Sequence, residues 1–125
     1  MNGSVTDLAI RIKNGYMARN ESVEVVFSKF NEEIVKKLVQ LGFVKKYENK
    51  ERKIIVELIY VDKNPALTEV KLFSKPGRRL YVSYKDLKTV MGGLGYSLIS
   101  TSEGILSNKE ARDKKVGGEL LFSVW

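Results

Sequence analysis

Apolar residues recur at two different spacings along this chain of 125 residues, and the change between them limits the folds open to it. Spacings of three and four residues occur over 5–12 and again over 30–41, which is the period of an amphipathic helix. Alternation of apolar and polar residues, the period of a half-buried strand, dominates from residue 68 onward. The first half is therefore predicted to fold as α-β-α-β-β and the second half as mostly β.

The change of spacing falls at Asp62-Lys63-Asn64-Pro65, whose residue types interrupt regular structure. We predict an α+β fold in which an N-terminal α-β-α-β-β domain, residues 1–64, is packed on a β-rich C-terminal domain with short helices, residues 65–125. The first domain is expected to contain a helix that ends near Gly15, a second helix capped by Ser28, strands at 22–27, 43–47 and 54–61, and a polar turn at 49–52. The second is expected to contain strands at 68–73, 79–82, 96–100 and 119–125, of which 79–82 pairs back on 68–73, and short helices that begin with capping boxes at Ser83 and Ser107.

The composition excludes several classes of chemistry. The chain has no cysteine and no histidine, so disulfides, thiolate nucleophiles, histidine bases and most zinc sites are absent. No nucleophile, base and oxyanion-binding set can be assembled, and we expect no enzyme activity, cofactor or metal. No apolar run approaches the ~18 residues that cross a bilayer, and the first residues lack the order of a secretory signal. A soluble protein that is not secreted is expected.

The charge is unevenly distributed. The net charge is +7. Residues 1–69 carry 12 basic and 10 acidic residues, a balance of +2, whereas residues 70–125 carry 10 and 5, a balance of +5. A basic surface favours a polyanion, either nucleic acid or an anionic membrane. An ordinary solvated lysine-rich face is the alternative, and the charge alone does not decide between them.

The segment 74–82, SKPGRRLYV, presents basic residues around a tight turn. Pro76 and Gly77 stand in the order that a type II turn prefers, and Lys75, Arg78 and Arg79 cannot all pack inward. Arginine matches the geometry of phosphate oxygens. Tyr81 follows on the same strand, where it has two open roles: to stack on a base or sugar, or to pack on the sheet.

Two further segments are candidates for binding. Ser100, Thr101 and Ser102 end an apolar strand, where hydroxyls either close a turn or contact phosphates and ribose 2′-hydroxyls. Gly104 would let the backbone approach a partner. In the sequence VGGE, residues 116–119, the two glycines suit a bulge or a close approach, and Glu119 can accept from the amine of an unpaired base or form a local ion pair.

Taken together and in order, these motifs resemble those of the bacterial-type small-subunit ribosomal protein eight family. The matching motifs are GYSLISTSEGIL at 95–106 with Ala111-Arg112, KPGRR at 75–79 with Tyr81-Val82, and VGGE at 116–119 with Val124-Trp125. In the first half, Arg11-Ile12-Lys13-Asn14 and the segment 28–43 resemble the family's first two helices. The resemblance covers essentially the whole chain.

The resemblance implies a structural constituent of the small ribosomal subunit that binds the central domain of small-subunit rRNA early in assembly. It implies neighbouring ribosomal proteins as partners, and in many bacteria the operon messenger RNA as well. It also implies a cytoplasmic location within the small subunit, and an organelle-encoded origin stays open. No membrane and no small-molecule substrate are expected.

Carried over residue by residue, the RNA contacts implied by the family fall mainly on the C-terminal domain. They are Lys75, Arg78, Arg79, Tyr81, Ser100, Thr101, Ser102, Gly104, Gly117, Gly118 and Glu119, with Lys13 and Asn14 as a secondary surface on the first helix. A non-specific architectural nucleic-acid-binding protein is the alternative function. An enzyme that acts on RNA is a further class, for which the sequence offers no candidate site.

The chain departs from the family pattern at three places. The lead Asn2-Gly3-Ser4-Val5-Thr6 replaces the usual Asp-Pro pair. Leu72-Phe73 replace a frequent basic residue before the KPGRR turn, and Phe122 stands where the family often has cysteine, which we interpret as a substitution within the core.

Overall fold

The computed structural model describes residues 4–125, which form two compact units, 4–68 and 69–125. The lead residues Asn2 and Gly3 lie outside the described residues. The elements of the first unit are α1 Ser4–Met17, β1 Ser22–Val26, α2 Lys29–Gln40, β2 Lys46–Lys50, β3 Lys53–Glu57, β4 Tyr60–Val61 and β5 Asn64–Pro65. Those of the second are β6 Val70–Leu72, β7 Tyr81–Val82, β8 Tyr96–Thr101, β9 Gly104–Ser107, α3 Asn108–Lys114 and β10 Gly118–Val124. Helices and antiparallel sheets confirm the predicted α+β class.

The helices of the first unit bury the stripes that their spacing predicts. In α1 the buried side chains are Leu8, Ala9, Ile12 and Tyr16, with Val5 half-buried, and in α2 they include Ile34, Val35 and Leu38, with Phe30 and Leu41 half-buried. The antiparallel sheet has the order β1-β3-β2, with Ile54 and Val56 of the central strand buried. Ser28 caps α2 as expected, because its hydroxyl accepts from the Asn31 N–H at 3.0 Å.

The first helix does not end at Gly15, as predicted, but continues to Met17. Gly15 is buried, and a Cβ there would lie 2.2 Å from Cγ1 of Val23 on β1. The glycine therefore allows the helix to approach the strand closely and does not act as a stop signal.

Three sequence expectations for the sheet of the first unit are wrong in their boundaries. The second strand begins at Lys46, and the apolar residues Phe43 and Val44 are buried ahead of it. The predicted four-residue turn is a two-residue turn, Glu51-Arg52, because Asn49 and Lys50 pair with β3. The strand expected at 54–61 is divided into β3 and β4.

The segment proposed as the domain boundary forms a tight hairpin. Asp62 and Lys63 both have positive φ, 51° and 69°, and join β4 to β5. Positive φ at both central residues is the conformation that short hairpin turns need. This hairpin belongs to the first compact unit, and the units divide between Thr68 and Glu69. The assignment of domains at 64/65 stays a prediction.

The second unit is built on one antiparallel sheet of order β6-β10-β8-β9, in which β7 also pairs with β10. One face of this sheet packs Ile99 and Leu106 against Leu87 and Ala111 of the covering segments. Helix α3 begins with the predicted capping box, in which Ser107 and Glu110 satisfy each other's backbone N–H. The alternation expected along β10 is interrupted by a bulge at Leu121.

Other expectations for the second unit are corrected by the structure. The helix predicted over Leu87, Val90 and Met91 is replaced by two 3₁₀ turns, Tyr84–Asp86 and Met91–Gly93. The segment 79–82 was expected to pair back on 68–73, but its strand β7 pairs with β10. Strand β9 was not predicted at all. Within residues 4–125, no helix has the length and apolar character needed to cross a membrane.

Tyr16 links three segments of the first unit through one buried hydroxyl. The hydroxyl donates to the Phe43 carbonyl at 2.6 Å and accepts from the Ile59 N–H at 3.0 Å. Burial raises the pKa of this phenol, since the charged form would lose its hydration.

We predict that Tyr16→Phe lowers the free energy of unfolding by about 1–3 kcal/mol, because two backbone groups lose a buried partner. Tyr81→Phe is the matched control. Its side chain is 67% exposed, and the change should stay within about 0.5 kcal/mol. Urea denaturation followed by circular dichroism measures both, and equal effects would contradict the role assigned to Tyr16.

Candidate nucleic-acid interface

The strand register of the second unit brings three distant candidates into one row. Glu119 on β10 lies opposite Tyr81 on β7 and opposite Ser100 on β8. Directly opposed residues in antiparallel strands point to the same face. The hydroxyl, the carboxylate and the phenol, which come from three separate motifs, are therefore neighbours on one surface.

The serine and threonine run lies in a β-hairpin. Ser100 and Thr101 end β8, Ser102 and Glu103 form the turn, and Gly104 begins β9 with φ +104°. The Thr101 hydroxyl donates to the Gly104 carbonyl at 2.8 Å and accepts from the Glu103 N–H at 3.0 Å. Thr101 thus has the turn-closing role that was one of the two options. Ser102 is exposed and has no side-chain hydrogen bond to any residue of 4–125.

The glycines of the VGGE segment allow close approach of the chain's own backbone. A Cβ on Gly118 would lie 2.1 Å from the Ser100 carbonyl oxygen, and one on Gly117 would lie 2.4 Å from the Val82 carbonyl oxygen. No side chain fits at those distances, so β10 can reach its two neighbours only with glycine here. These contacts hold the row of Tyr81, Glu119 and Ser100 together.

Glu119 forms the local ion pair that was the alternative to base recognition. Nη1 of Arg79 lies 3.3 Å from both carboxylate oxygens of Glu119. The carboxylate side chain is only 12% exposed, whereas the arginine side chain is 49% exposed. In this pair the Glu119 carboxylate is mostly buried, whereas solvent and ligands can reach the Arg79 guanidinium. Recognition of a base by Glu119 stays a prediction.

The KPGRR turn has the predicted type II geometry. Lys75 and Arg78 exchange backbone hydrogen bonds of 2.9 and 3.0 Å, and Gly77 has φ +77°. Both of these cationic side chains are exposed, and neither has an ion-pair partner within residues 4–125. Tyr81, also exposed, does not pack on the sheet. The turn thus presents uncompensated positive charge beside an accessible aromatic ring.

Sequence reasoning missed Ser74, which anchors this turn. The side chain is buried, and its hydroxyl accepts from the Leu80 N–H at 3.0 Å and donates to the Leu120 carbonyl at 2.7 Å. The hydroxyl thereby ties both ends of the turn to β10. A serine directly before the Lys-Pro-Gly sequence was the available signal, because serine commonly closes turns onto the backbone.

The secondary candidates, Lys13 and Asn14, lie in the other unit. Lys13 and Asn14 are on α1, where Lys13 is half-buried and Asn14 is exposed. Asn14 lines a surface cavity of about 620 Å³ with Arg11 and Glu24. Arg11 is paired with Asp7 of the same helix at 2.8 Å.

Of the departures noted from the sequence, Phe122 is 1% exposed, in agreement with its interpretation as a core residue.

A cationic turn beside an exposed aromatic ring and free hydroxyls is typical of proteins that bind nucleic acid. The chain matches the sequence model of the family described as Ribosomal protein S8 over residues 3–125. It therefore belongs to the ribosomal protein S8 family.

Curated relatives cover almost the whole chain. The small ribosomal subunit protein uS8 of Dictyoglomus turgidum is 43% identical over 125 residues, which cover 97% of this chain and 95% of the relative. That of Coprothermobacter proteolyticus is 44% identical over 128 residues, covering 98% and 97%. The small ribosomal subunit protein uS8c of Gracilaria tenuistipitata var. liui is 37% identical over 131 residues, covering 100% and 99%.

We predict that Gly118→Ala destabilises the second unit by about 3 kcal/mol, because its Cβ would overlap a backbone oxygen that cannot rotate away. Gly77→Ala is the comparison, since nothing lies within 4 Å of its Cβ. The cost there, about 1 kcal/mol, comes from the left-handed backbone alone. Denaturant unfolding of both variants checks this, and an equal loss would show that the close approach is not tight.

Proposed function

We propose that this chain is a structural constituent of the small ribosomal subunit that binds the central domain of small-subunit rRNA and supports assembly of the subunit. Membership of the ribosomal protein S8 family supports this function, and so do the names of the relatives. The observation that carries the proposed RNA contact is the row of Tyr81, Glu119 and Ser100 beside the cationic turn. The chain would have no chemistry of its own.

The first part of the proposed mechanism is electrostatic positioning. Lys75 and Arg78 are exposed and unpaired within residues 4–125, so they can neutralise phosphates without breaking an existing ion pair. Such contacts set the orientation of an RNA helix and make affinity salt-dependent, but they do not read its sequence. Lys13 and Asn14 would add a weaker contact from the other unit.

The second part is recognition of an irregular RNA helix. The major groove of A-form RNA is too narrow for side chains, so specificity comes from the shallow minor groove and from unpaired bases. Ser100 and Ser102 offer hydroxyls to ribose and base edges, and Tyr81 offers a face for stacking. Gly104 would let an RNA backbone approach this surface, whereas Gly117 and Gly118 would act indirectly, by holding β10 close to its neighbouring strands. Thr101 contributes by closing the hairpin.

Glu119 and Arg79 would act as a unit. A phosphate that reaches the exposed Arg79 competes with the carboxylate for the same guanidinium. The carboxylate released from that pair can then accept from the amine of an unpaired base, which no cationic residue can do. This coupling would make base recognition depend on correct phosphate placement.

The wider role would follow the family. Partners would be neighbouring small-subunit ribosomal proteins and the operon messenger RNA, and the location would be the small subunit in the cytoplasm or in an organelle that encodes the protein. The alternative is a non-specific architectural nucleic-acid-binding protein. The net charge of +5 on residues 70–125 supports that alternative, because a basic surface attracts any polyanion whatever its sequence.

In the first test the chain is titrated with a central-domain rRNA fragment, with a fully paired RNA helix of equal length and with a DNA duplex of equal length, at two salt concentrations. We expect at least ~10-fold preference for the irregular fragment, equivalent to ~1.4 kcal/mol. Equal binding to both, with a steep salt dependence and no preference for RNA over DNA, would support the architectural alternative and contradict rRNA recognition.

Two variants should separate positioning from recognition. Glu119→Gln should mainly reduce the preference for the irregular fragment, because the acceptor charge is lost. Arg78→Gln should weaken binding to both RNAs alike and lower the salt slope by about one. Filter binding at several salt concentrations measures both effects, with Lys36→Gln on α2 as a control. Equal losses on both RNAs for the Glu119 variant would refute its assigned role.

A further inference from the structure

A second surface of the unit 69–125 carries a cavity that none of the predicted RNA contacts line. Its volume is about 450 Å³, within the range of small-ligand sites. It includes Ser97 of β8 and Ser123 of β10, which lie opposite each other in the register. Alternate residues of a strand face opposite sides, so Ser97 and Ser100 lie on opposite faces of the sheet. The cavity therefore opens on the face of the sheet away from Ser100.

The two serines form a polar base in the cavity. Both are almost completely buried, and their hydroxyl oxygens are 2.7 Å apart. One hydroxyl donates to the other, which leaves one O–H without an acceptor among residues 4–125. A ligand in the cavity with a hydrogen-bond acceptor would accept from this O–H. The Ser97 backbone is held by Asn108, whose side-chain oxygen accepts its N–H at 3.2 Å.

Aromatic and cationic groups complete the cavity. Phe73 and Trp125 are the aromatic residues of its lining. Lys71 lies in the same row as Ser123, with its ammonium 5.3 Å from the centre of the Phe73 ring. Lys88 and Asp86 also line the cavity, so its charged side chains total two cations and one anion. The cavity thus suits a flat apolar body with a hydrogen-bonding edge and a negative group at its rim.

A nucleotide has these three properties together, since a base presents a flat ring with acceptors on its edge and carries a phosphate through its sugar. We propose that this cavity binds one unstacked nucleobase, with Ser97 and Ser123 at its polar edge and Lys71 and Lys88 toward the adjacent phosphate. Unpaired RNA bases are commonly held by aromatic stacking and edge hydrogen bonds. The assignment rests on the proposed function, because it names a part of the RNA ligand that the opposite surface does not reach.

The test uses Trp125, the only tryptophan in the sequence, as a reporter inside the cavity. Adenosine and uridine monophosphates, a short unpaired RNA and phenyl phosphate are titrated against the whole chain, with fluorescence excited at the red edge of tryptophan absorption. We expect saturable quenching by the nucleotides, and about 10-fold weaker binding by the double variant Ser97→Ala with Ser123→Ala.

A second double variant, at the two exposed lysines, tests the cavity without changing the buried serines. Lys71→Gln with Lys88→Gln should weaken nucleotide binding about 10-fold, whereas Lys36→Gln on the other unit should leave it unchanged. Melting curves by circular dichroism establish that each variant is folded. Absence of saturable quenching, or unchanged affinity in both double variants, overturns the proposal. Phenyl phosphate binding as tightly as the nucleotides overturns the assignment to a base.

The same variants distinguish this inference from the proposed function. If the central-domain fragment binds normally to the wild type and to both double variants while mononucleotides do not quench, the cavity proposal fails and the rRNA proposal stands. If mononucleotides bind but the fragment shows no preference over a paired helix, the site takes free nucleotides and the rRNA proposal fails. Loss of fragment affinity in the cavity variants supports a base of the RNA as the ligand.

Discussion

The organisation of residues 69–125 depends on the close packing of β10 against its neighbours. This strand pairs with β6 and β7 and with β8, and it reaches the last two only because Gly117 and Gly118 carry no side chain. The register that results decides which side chains share a face. Displacement of β10 by one residue would move Glu119 to the opposite face of the sheet, where it would no longer be a neighbour of Tyr81 and Ser100. The glycine contacts that fix the register of the sheet therefore also fix which candidate RNA-binding side chains are neighbours.

The ion pair of Arg79 and Glu119 adds an electrostatic consequence to this geometry. A carboxylate that is mostly buried needs a cation, and the nearest one is also the group best placed to meet a phosphate. A phosphate that binds Arg79 must therefore rearrange the ion pair of Arg79 and Glu119, whereas Lys75 and Arg78 can bind a phosphate without breaking an ion pair. The segment 75–79 thus contains one cation that is already in an ion pair, Arg79, and two that have no ion-pair partner within residues 4–125, Lys75 and Arg78.

Local signals in the sequence predicted much of this structure. The buried stripes of α1 and α2, the caps Ser28 and Ser107, and the Pro76-Gly77 turn depend on residues within a few positions of each other, and the structure confirms them. Strand β9 was missed because its four residues are too short for an alternation to be evident and lie directly against a capping box. The start of β2 was misplaced because buried residues before a strand resemble the strand itself.

The neighbours within the candidate site could not be predicted in the same way. Tyr81, Ser100 and Glu119 meet through the pairing of strands far apart in the chain, and hydrophobic periodicity contains no information on that register. The bulge at Leu121 likewise changes the phase of β10 without any glycine or proline to signal it. Each motif could be identified singly, but their adjacency required the tertiary structure.

The position of β10 in the chain also bears on how the protein is made. The first unit is complete within residues 4–68, so it can fold while the remaining chain is still being synthesised. The sheet of the second unit lacks a central strand until residues 118–124 have left the exit tunnel, because β6 and β7 pair with β10, and β8, which also pairs with β9, needs β10 on its other side. A nascent chain of this protein therefore exposes unpaired strand edges until β10 has emerged, and its row of Tyr81, Glu119 and Ser100 cannot form before then.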